Sequence, residues 1–197
     1  MRSDRLLLSV LLLVCALNGC GLFDTREPES PVGAGGVNPP ASSPEMVLQN
    51  FTSAVQQKNI QDYEKLFSDS VNGIRNFTFV PSPEAAVRYA SVFSRWSRTS
   101  ETDYFRNAVS SLAQSGYPNV TFMNPTYVRF QSDSAIISTE YLLLVPHRLT
   151  TVTTTFTGRA DFYTARDKNQ TWTIYRWVDY TTKRDSSWSD CKGAFAQ

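Results

Sequence analysis

Between residues 120 and 182, apolar and polar side chains alternate along four runs: 120–131, 135–145, 151–166 and 171–182. Three short polar breaks separate the runs: Ser132-Asp133-Ser134, Pro146-His147-Arg148 and Asp167-Lys168-Asn169-Gln170. Period-two alternation rich in β-branched and aromatic residues, closed by short polar turns, predicts a four-stranded antiparallel meander. In the third run Val152, Phe156, Ala160 and Phe162 share one parity, and Thr151, Thr153, Thr155, Thr157, Arg159 and Asp161 share the other. That division means one buried and one solvated face. The fourth run differs. Trp172, Ile174, Val178 and Tyr180 share a parity with Arg176, and Tyr175 and Trp177 share the other with Asp179, so both faces are partly apolar, as in a central or strongly curved strand.

Upstream the period changes to that of a helix. Ser43-Pro44-Glu45 combines an N-cap, a proline at the first helical position and an acid near the positive helix end. Val47, Leu48, Phe51, Ala54 and Val55 then form one apolar stripe, ending near Lys58. Asn59 is a second cap, opening a shorter helix with Ile60, Tyr63, Leu66 and Phe67 on one side, broken at Val71-Asn72-Gly73. Alternation of Phe77 and Phe79 within residues 76–80 predicts a short strand or extended cover. Ser82-Pro83-Glu84 starts a third helix, running to Trp96 with Ala86, Tyr89, Ala90, Phe93 and Trp96 inward and Arg88 and Arg95 outward. A fourth helix is predicted from Ser100, with Asp103 at the capping-box position, to Gly116. Past residue 182, Trp188 to Phe195 predict a short helical turn packing back on the body.

The first twenty residues carry a separate signal. Two arginines precede an apolar run from Leu6 to Leu17, too short to span a bilayer and of signal-peptide length. It ends in Leu17-Asn18-Gly19-Cys20, which resembles the lipobox of bacterial lipoproteins, although Asn18 departs from the usual residue at its position. The resemblance implies that residues 1–19 are removed and that Cys20 becomes the acylated N-terminus, held by membrane lipid. Stable anchoring needs more than one chain, each buried CH₂ contributing about 0.8 kcal/mol. Gly21 after the cysteine resembles lipoproteins sent to the outer membrane, which implies a domain facing the periplasm. The competing reading is an ordinary cleaved signal peptide with a free Cys20. Residues 20–43, with Pro28, Pro31, Pro39, Pro40, Gly33, Gly35 and Gly36, form a disordered tether ahead of a single domain over 44–197.

The expected fold class is α+β: N-terminal helices packed on a strongly curved, four-stranded antiparallel sheet. Helices followed by a long curved meander resemble the cone-shaped nuclear-transport-factor-two-like superfamily. The likeness rests on the helix pair over residues 43–67, with its Gln61-Asp62-Tyr63-Glu64-Lys65-Leu66-Phe67 segment, and on the strand through Trp172-Thr173-Ile174-Tyr175-Arg176-Trp177. The fourth helix departs from that pattern. A lipocalin-like barrel would need eight strands and leaves no room for these helices.

Composition narrows the chemistry. Lys and Arg number 19 against 18 Asp and Glu, and removing Arg2, Arg5 and Asp4 with the leader leaves 17 of each. No global field draws in nucleic acid, so no nucleic-acid partner is expected. One histidine, and one cysteine beyond Cys20, exclude cysteine and cysteine–histidine zinc sites and an intradomain disulfide. No phosphate loop, nucleophile elbow or paired-cysteine motif occurs, so neither a cofactor nor a metal is expected. His147 is expected exposed at a hairpin tip, and Cys191 to be a small buried residue.

Enzymes of the superfamily place an Asp or His with Tyr partners in the cone mouth, which makes Tyr63, Tyr141, Arg176 and Asp179 the candidate pocket residues. No catalytic residue is assigned. Parity puts Arg176 and Asp179 on opposite faces unless a bulge shifts the register. Arg176 either meets an anionic ligand or lies at the sheet rim beside Glu140 or Asp161, its stem covering apolar surface. The leading reading is a non-catalytic domain, binding a small apolar or anionic ligand or assembling with an envelope protein. The alternatives are a small-molecule isomerase or hydrolase, and an accessory subunit of an envelope complex using the sheet face.

Overall fold

In the computed structural model the described residues are 38–73, 75–182 and 186–196. The expected leader, the lipidation site Cys20 and most of the tether lie outside them. Residues 38–43, the end of the expected tether, are docked. Asn38 N–H donates to Asp62 Oδ2 at 2.7 Å, Asn38 Nδ2 donates to Asn50 O at 3.0 Å, and Trp172 N–H donates to Ala41 O at 2.9 Å. Ser53 Oγ adds a bond to Asn38 Oδ1 and Asn50 Nδ2 one to Pro39 O, both at 2.8 Å, so side chains and backbone together hold this short stretch on the body.

Helix α1, Pro44–Gln57, starts where its cap signals place it: Ser43 Oγ accepts the Met46 N–H at 3.3 Å. Its whole predicted stripe, Val47, Leu48, Phe51, Ala54 and Val55, is buried. Lys58 closes it in the left-handed region at φ 57°, and Asn59 caps α2, Ile60–Lys65, by accepting the Asp62 N–H at 3.1 Å. The third helix is broken. α3, Pro83–Arg88, and α4, Ala90–Phe93, meet at Tyr89, whose backbone leaves the helical region at φ −117°, ψ 39°. The break lays the Tyr89 ring on Gly193 while Arg88 reaches Asp190 Oδ1 at 2.5 Å. α5, Arg98–Ser110, starts earlier than predicted because Ser97, not Ser100, is the cap; Ser97 and Ser100 exchange the two capping-box bonds.

The sheet has five strands in the order β1-β5-β4-β3-β2. β2 (Asn119–Phe130), β3 (Ser134–Leu144), β4 (Thr155–Arg166) and β5 (Trp172–Thr181) form the predicted antiparallel meander. The fifth strand, β1 (Thr78–Val80), lies parallel to β5 at the edge. In sequence α3–α5 and strands β2, β3 and β4 all lie between the two, far more than the dozen residues a parallel pair needs. Phe156 and Phe162 are buried on the concave face, as the alternation requires.

β4 starts four residues later than expected. Val145 N–H bonds to Thr154 O, and His147 Nε2 lies 3.0 Å from Thr153 O, so residues 146–154 form an anchored loop. His147 is therefore buried, not exposed. Its Nδ1 accepts the Leu149 N–H at 3.1 Å, which assigns the proton to Nε2, and its ring packs 5.1 Å from that of Phe195. In β5 the pairing Tyr163↔Arg176 is followed by Thr164↔Ile174, leaving Tyr175 as an extra residue. This bulge reverses the parity. Trp172 and Ile174 point inward with Trp177 and Asp179, and do not share the face of Arg176 as strict alternation implied. The C-terminal segment is α6, Trp188–Phe195, longer than a single turn and buried along almost its whole length.

Candidate functional site

The concave face of the sheet and helices α1, α2 and α5 enclose an interior into which α6 is inserted. Trp188 fills its centre, its ring 4.7 Å from that of Trp177, 5.1 Å from Tyr141 and 5.4 Å from Phe51. Two polar clusters lie within this aromatic packing.

The first joins Asp179 and Tyr141. The Tyr141 hydroxyl donates to Asp179 Oδ1 at 2.7 Å, and Ser189 donates to Oδ2 from its N–H at 2.8 Å and from its hydroxyl at 2.5 Å. The Trp188 N–H in turn donates to Tyr141 Oη at 2.7 Å. Gly158 lies opposite Tyr141 in the β3–β4 register, and a Cβ there would come within 2.4 Å of Tyr141 Oη. Only glycine leaves that hydroxyl its path to Asp179. Burial raises the Asp179 carboxyl above its ordinary range, opposed by the bonds from Ser189 and Tyr141, and burial also raises Tyr141 well above 10.

The second cluster is centred on Glu101 of α5. Its Oε1 accepts the Tyr63 hydroxyl at 2.8 Å, and its Oε2 accepts Trp96 Nε1 at 2.8 Å and Lys192 Nζ at 2.6 Å. Both charges are fully buried. Burial pushes Lys192 down to about 8, opposed by Glu101. Beside it the Tyr104 hydroxyl accepts Trp188 Nε1 at 3.0 Å and lies 3.5 Å from Cys191 Sγ. Burial pushes that thiol up to about 12, which leaves it protonated and unreactive at neutral pH.

Three of the four candidate pocket residues, Tyr63, Tyr141 and Asp179, thus face the interior, but they line no open pocket. The crevice beside Tyr104 and Trp188 holds only about 10 Å³. That is space for one water at most. Arg176 is on the other face, exposed, with its guanidinium 5.4 Å from the Tyr163 ring centroid; neither Glu140 nor Asp161 holds it, since Asp161 takes the Tyr180 hydroxyl. Glu101, Lys192, Trp188 and Ser189 were not among the candidates. Their signal was in the helical spacing. Glu101 precedes Tyr104, Phe105 and Ala108 on one stripe, and Lys192 sits within Trp188, Cys191 and Phe195, so each charge occupies a core position.

Open space lies elsewhere. A cleft of about 320 Å³ opens where residues 38–41 cross the body, bordered by Pro40, Lys65, Asp69, Arg98 and Trp172. Its acids are engaged locally: Asp62 by Asn38, Asn59 and Lys65, and Asp69 by the Val71 and Asn72 N–H groups, the Asn72 bond being the main cause of its lowered pKa. Arg98 Nε and Trp172 Nε1, by contrast, are buried donors without an acceptor.

No protein-family model matches the chain, and no curated protein matches it. Solved structures do. A nuclear-transport-factor-two-like superfamily protein from Salmonella enterica serovar Typhimurium superposes with a TM-score of 0.50 at 12% identity, covering 70% of this chain and 89% of that one. The chain has the nuclear-transport-factor-two-like fold. A provisionally assigned scytalone dehydratase from Novosphingobium aromaticivorans gives 0.52 at 12% identity, with 71% and 81% covered. A provisionally assigned calcium/calmodulin-dependent protein kinase II association domain from Xanthomonas campestris gives 0.50 at 13%, with 71% and 86% covered. At such identities only the fold carries over. An enzyme and an association domain on one cone leave function to be argued from the site.

Proposed function

We propose that this chain is a lipid-anchored envelope protein, held through Cys20 at the outer membrane and facing the periplasm, whose nuclear-transport-factor-two-like domain binds or assembles instead of catalysing. The observation that carries the non-catalytic reading is the saturation of both interior carboxylates: Asp179 and Glu101 spend their oxygens on Tyr141, Ser189, Tyr63, Trp96 and Lys192. A general base needs a lone pair facing substrate, and none faces open space here. The anchor is supported by the charged, apolar and Leu17-Asn18-Gly19-Cys20 segments of the leader. Small apolar or anionic ligands have the 320 Å³ cleft available, with its proline and tryptophan walls and its Arg98 and Lys65 cations.

Intact mass of the chain extracted from membranes tests the anchor. A polypeptide beginning at Cys20 with added acyl mass is expected; one that retains residues before Cys20, or begins at a bare Cys20, removes the basis for the localisation. Cross-linking in intact cells tests assembly. A partner linked reproducibly to the anchored chain and lost with Cys20→Ser supports it, and recovery of the chain alone from both counts against it.

The Tyr141–Asp179 pair favours a second reading, a small-molecule isomerase in which the hydroxyl polarises a carbonyl and the carboxylate moves a proton. It requires α6 to leave, because Ser189 and Trp188 hold both groups.

A further inference from the structure

Lys192 is held as proteins hold an ammonium ligand. Its Nζ lies 3.5 Å from the Trp177 ring centroid and 3.6 Å from that of Phe79, with Trp96 at 5.6 Å and Glu101 Oε2 behind it at 2.6 Å. Several ring faces around a cation, closed by a carboxylate, form the cage that selects alkylammonium groups. Trp188 is one helical turn earlier on the same side of α6 and fills the neighbouring aromatic space. The helix therefore offers the cone an indole and an ammonium side by side. Its first turn is also held by side chains, Tyr141 for the Trp188 N–H and Asp179 for the Ser189 N–H.

Packing alone does not call for this chemistry. An apolar residue of similar volume in place of a buried ion pair is often neutral or stabilising, so Lys192 and Glu101 are not needed to close the core. What the pair adds is discrimination for a cation.

We propose that the cone is a binding site for molecules carrying a primary ammonium on an aromatic body, and that α6 occupies it as a ligand built into the chain. The proposal rests on the domain being a binding module and adds a cationic ligand class, held in the cone, to the apolar or anionic ligands for which the cleft is open. Release of α6 withdraws Ser189 from Asp179, Lys192 from Glu101 and Trp188 from Tyr141 and Tyr104, and an entering amine replaces the Lys192 ammonium on Glu101 and the Trp188 indole against Trp177. Gly193 sets how firmly the helix seats, because a Cβ there would fall 2.3 Å from the ring of Tyr89, which is not one of the cage residues.

Hydrogen–deuterium exchange of the full chain tests this, with tryptamine as probe and indole-3-propionate as its carboxylate counterpart. Uptake over residues 187–196 is expected to rise saturably with tryptamine and not with indole-3-propionate, while β3 and β4 stay protected. In Gly193→Ala, whose overlap loosens the helix, half-saturation is expected at about tenfold lower tryptamine. The proposal is overturned if residues 187–196 exchange in step with β3 and β4 at every tryptamine concentration in both chains. An equal response to the carboxylate overturns the ammonium class. Either failure leaves the anchoring and assembly results standing, since those are read from acyl mass and cross-links.

Discussion

The cone interior and the cleft beside residues 38–41 are built from the same side chains and use them in opposite ways. Each contains an acid–lysine pair, an arginine or lysine near aromatic rings, and a tryptophan indole. Inside the cone every one of these polar atoms is answered except Trp177 Nε1, and the free volume is about 10 Å³. At the cleft about 320 Å³ is open, Lys65 is more than half exposed, and the Arg98 and Trp172 donors have no acceptor. Saturated polar groups in a dry core specify one arrangement, whereas buried donors left without an acceptor carry a desolvation cost that nothing offsets. In the cone the polar groups are already taken up by α6 and its neighbours, whereas at the cleft the space beside them is open.

The strongest challenge to that contrast is to remove the cation from each acid–lysine pair. Lys192→Met leaves Glu101 buried without a counter-charge and should cost about 3–5 kcal/mol by urea denaturation. Adding Glu101→Gln should recover more than half of the loss. Lys65→Met, at the exposed pair with Asp62, should cost less than about 1 kcal/mol. Equal costs for the two lysines would mean that the interior is not the low-dielectric site its burial implies.

Titration sharpens the same point. Burial holds Lys192 near 8 against an ordinary 10.5, so across that window the unfolded chain binds the extra proton. Stability from this group therefore rises with pH between about 8 and 10.5, and has no slope below, where both states are protonated. Asp179 runs the other way: its raised pKa makes its contribution greatest below 3.8 and lost as pH rises through the folded value. Denaturation midpoints of the parent and Lys192→Met from pH 7 to 10 isolate the lysine, because the tyrosines are common to both. The parent should gain on the variant above pH 8; a constant difference would remove the perturbed lysine.

A smaller effect is expected at Gly158. Alanine there meets Tyr141 Oη at 2.4 Å and Tyr180 O at 2.6 Å, so the Tyr141–Asp179 bond must shift or the β4 backbone must. The expected loss is about 1–3 kcal/mol, with faster exchange of the Ser189 amide that Asp179 holds. A stable variant with that amide still protected would show that the hydroxyl has slack the geometry denies it.

How much of this was legible beforehand depends on whether local pattern or long-range packing decided each feature. The meander was readable because one face of each strand is buried and period two survives in the sequence. α1 and α2 were readable because Ser43, Pro44 and Asn59 act within one turn of themselves. The Tyr175 bulge was not, since nothing local distinguishes an extra residue from a two-faced strand, and Trp172 and Ile174 were assigned to the wrong face. His147 looked like a hairpin tip, but the bonds that bury it come from Leu149 and from Thr153, the latter in a stretch taken for strand. Tyr63, Tyr141 and Asp179 were placed in the cone by resemblance, and Arg176 with them, although parity already set it on the face opposite Asp179. Glu101 and Lys192 were missed because a charge in a helical stripe reads as solvated until its partner, 91 residues away, is known.

The finest comparison is between two indoles. Trp188 Nε1 donates to Tyr104 Oη at 3.0 Å, whereas Trp172 Nε1, also buried, donates to nothing. Phenylalanine removes the N–H from each. At Trp188 the exchange strands a buried hydroxyl lone pair and leaves a gap, so about 1–2 kcal/mol should be lost on top of the smaller ring. At Trp172 the N–H already carries its desolvation cost without a bond, so its removal offsets much of the lost packing, and the net change should stay within about 1 kcal/mol. Urea midpoints of Trp172→Phe and Trp188→Phe decide it. Should Trp172→Phe cost as much as Trp188→Phe, the cleft donor already has an acceptor in solution, and the contrast between a saturated interior and an unsaturated cleft no longer holds.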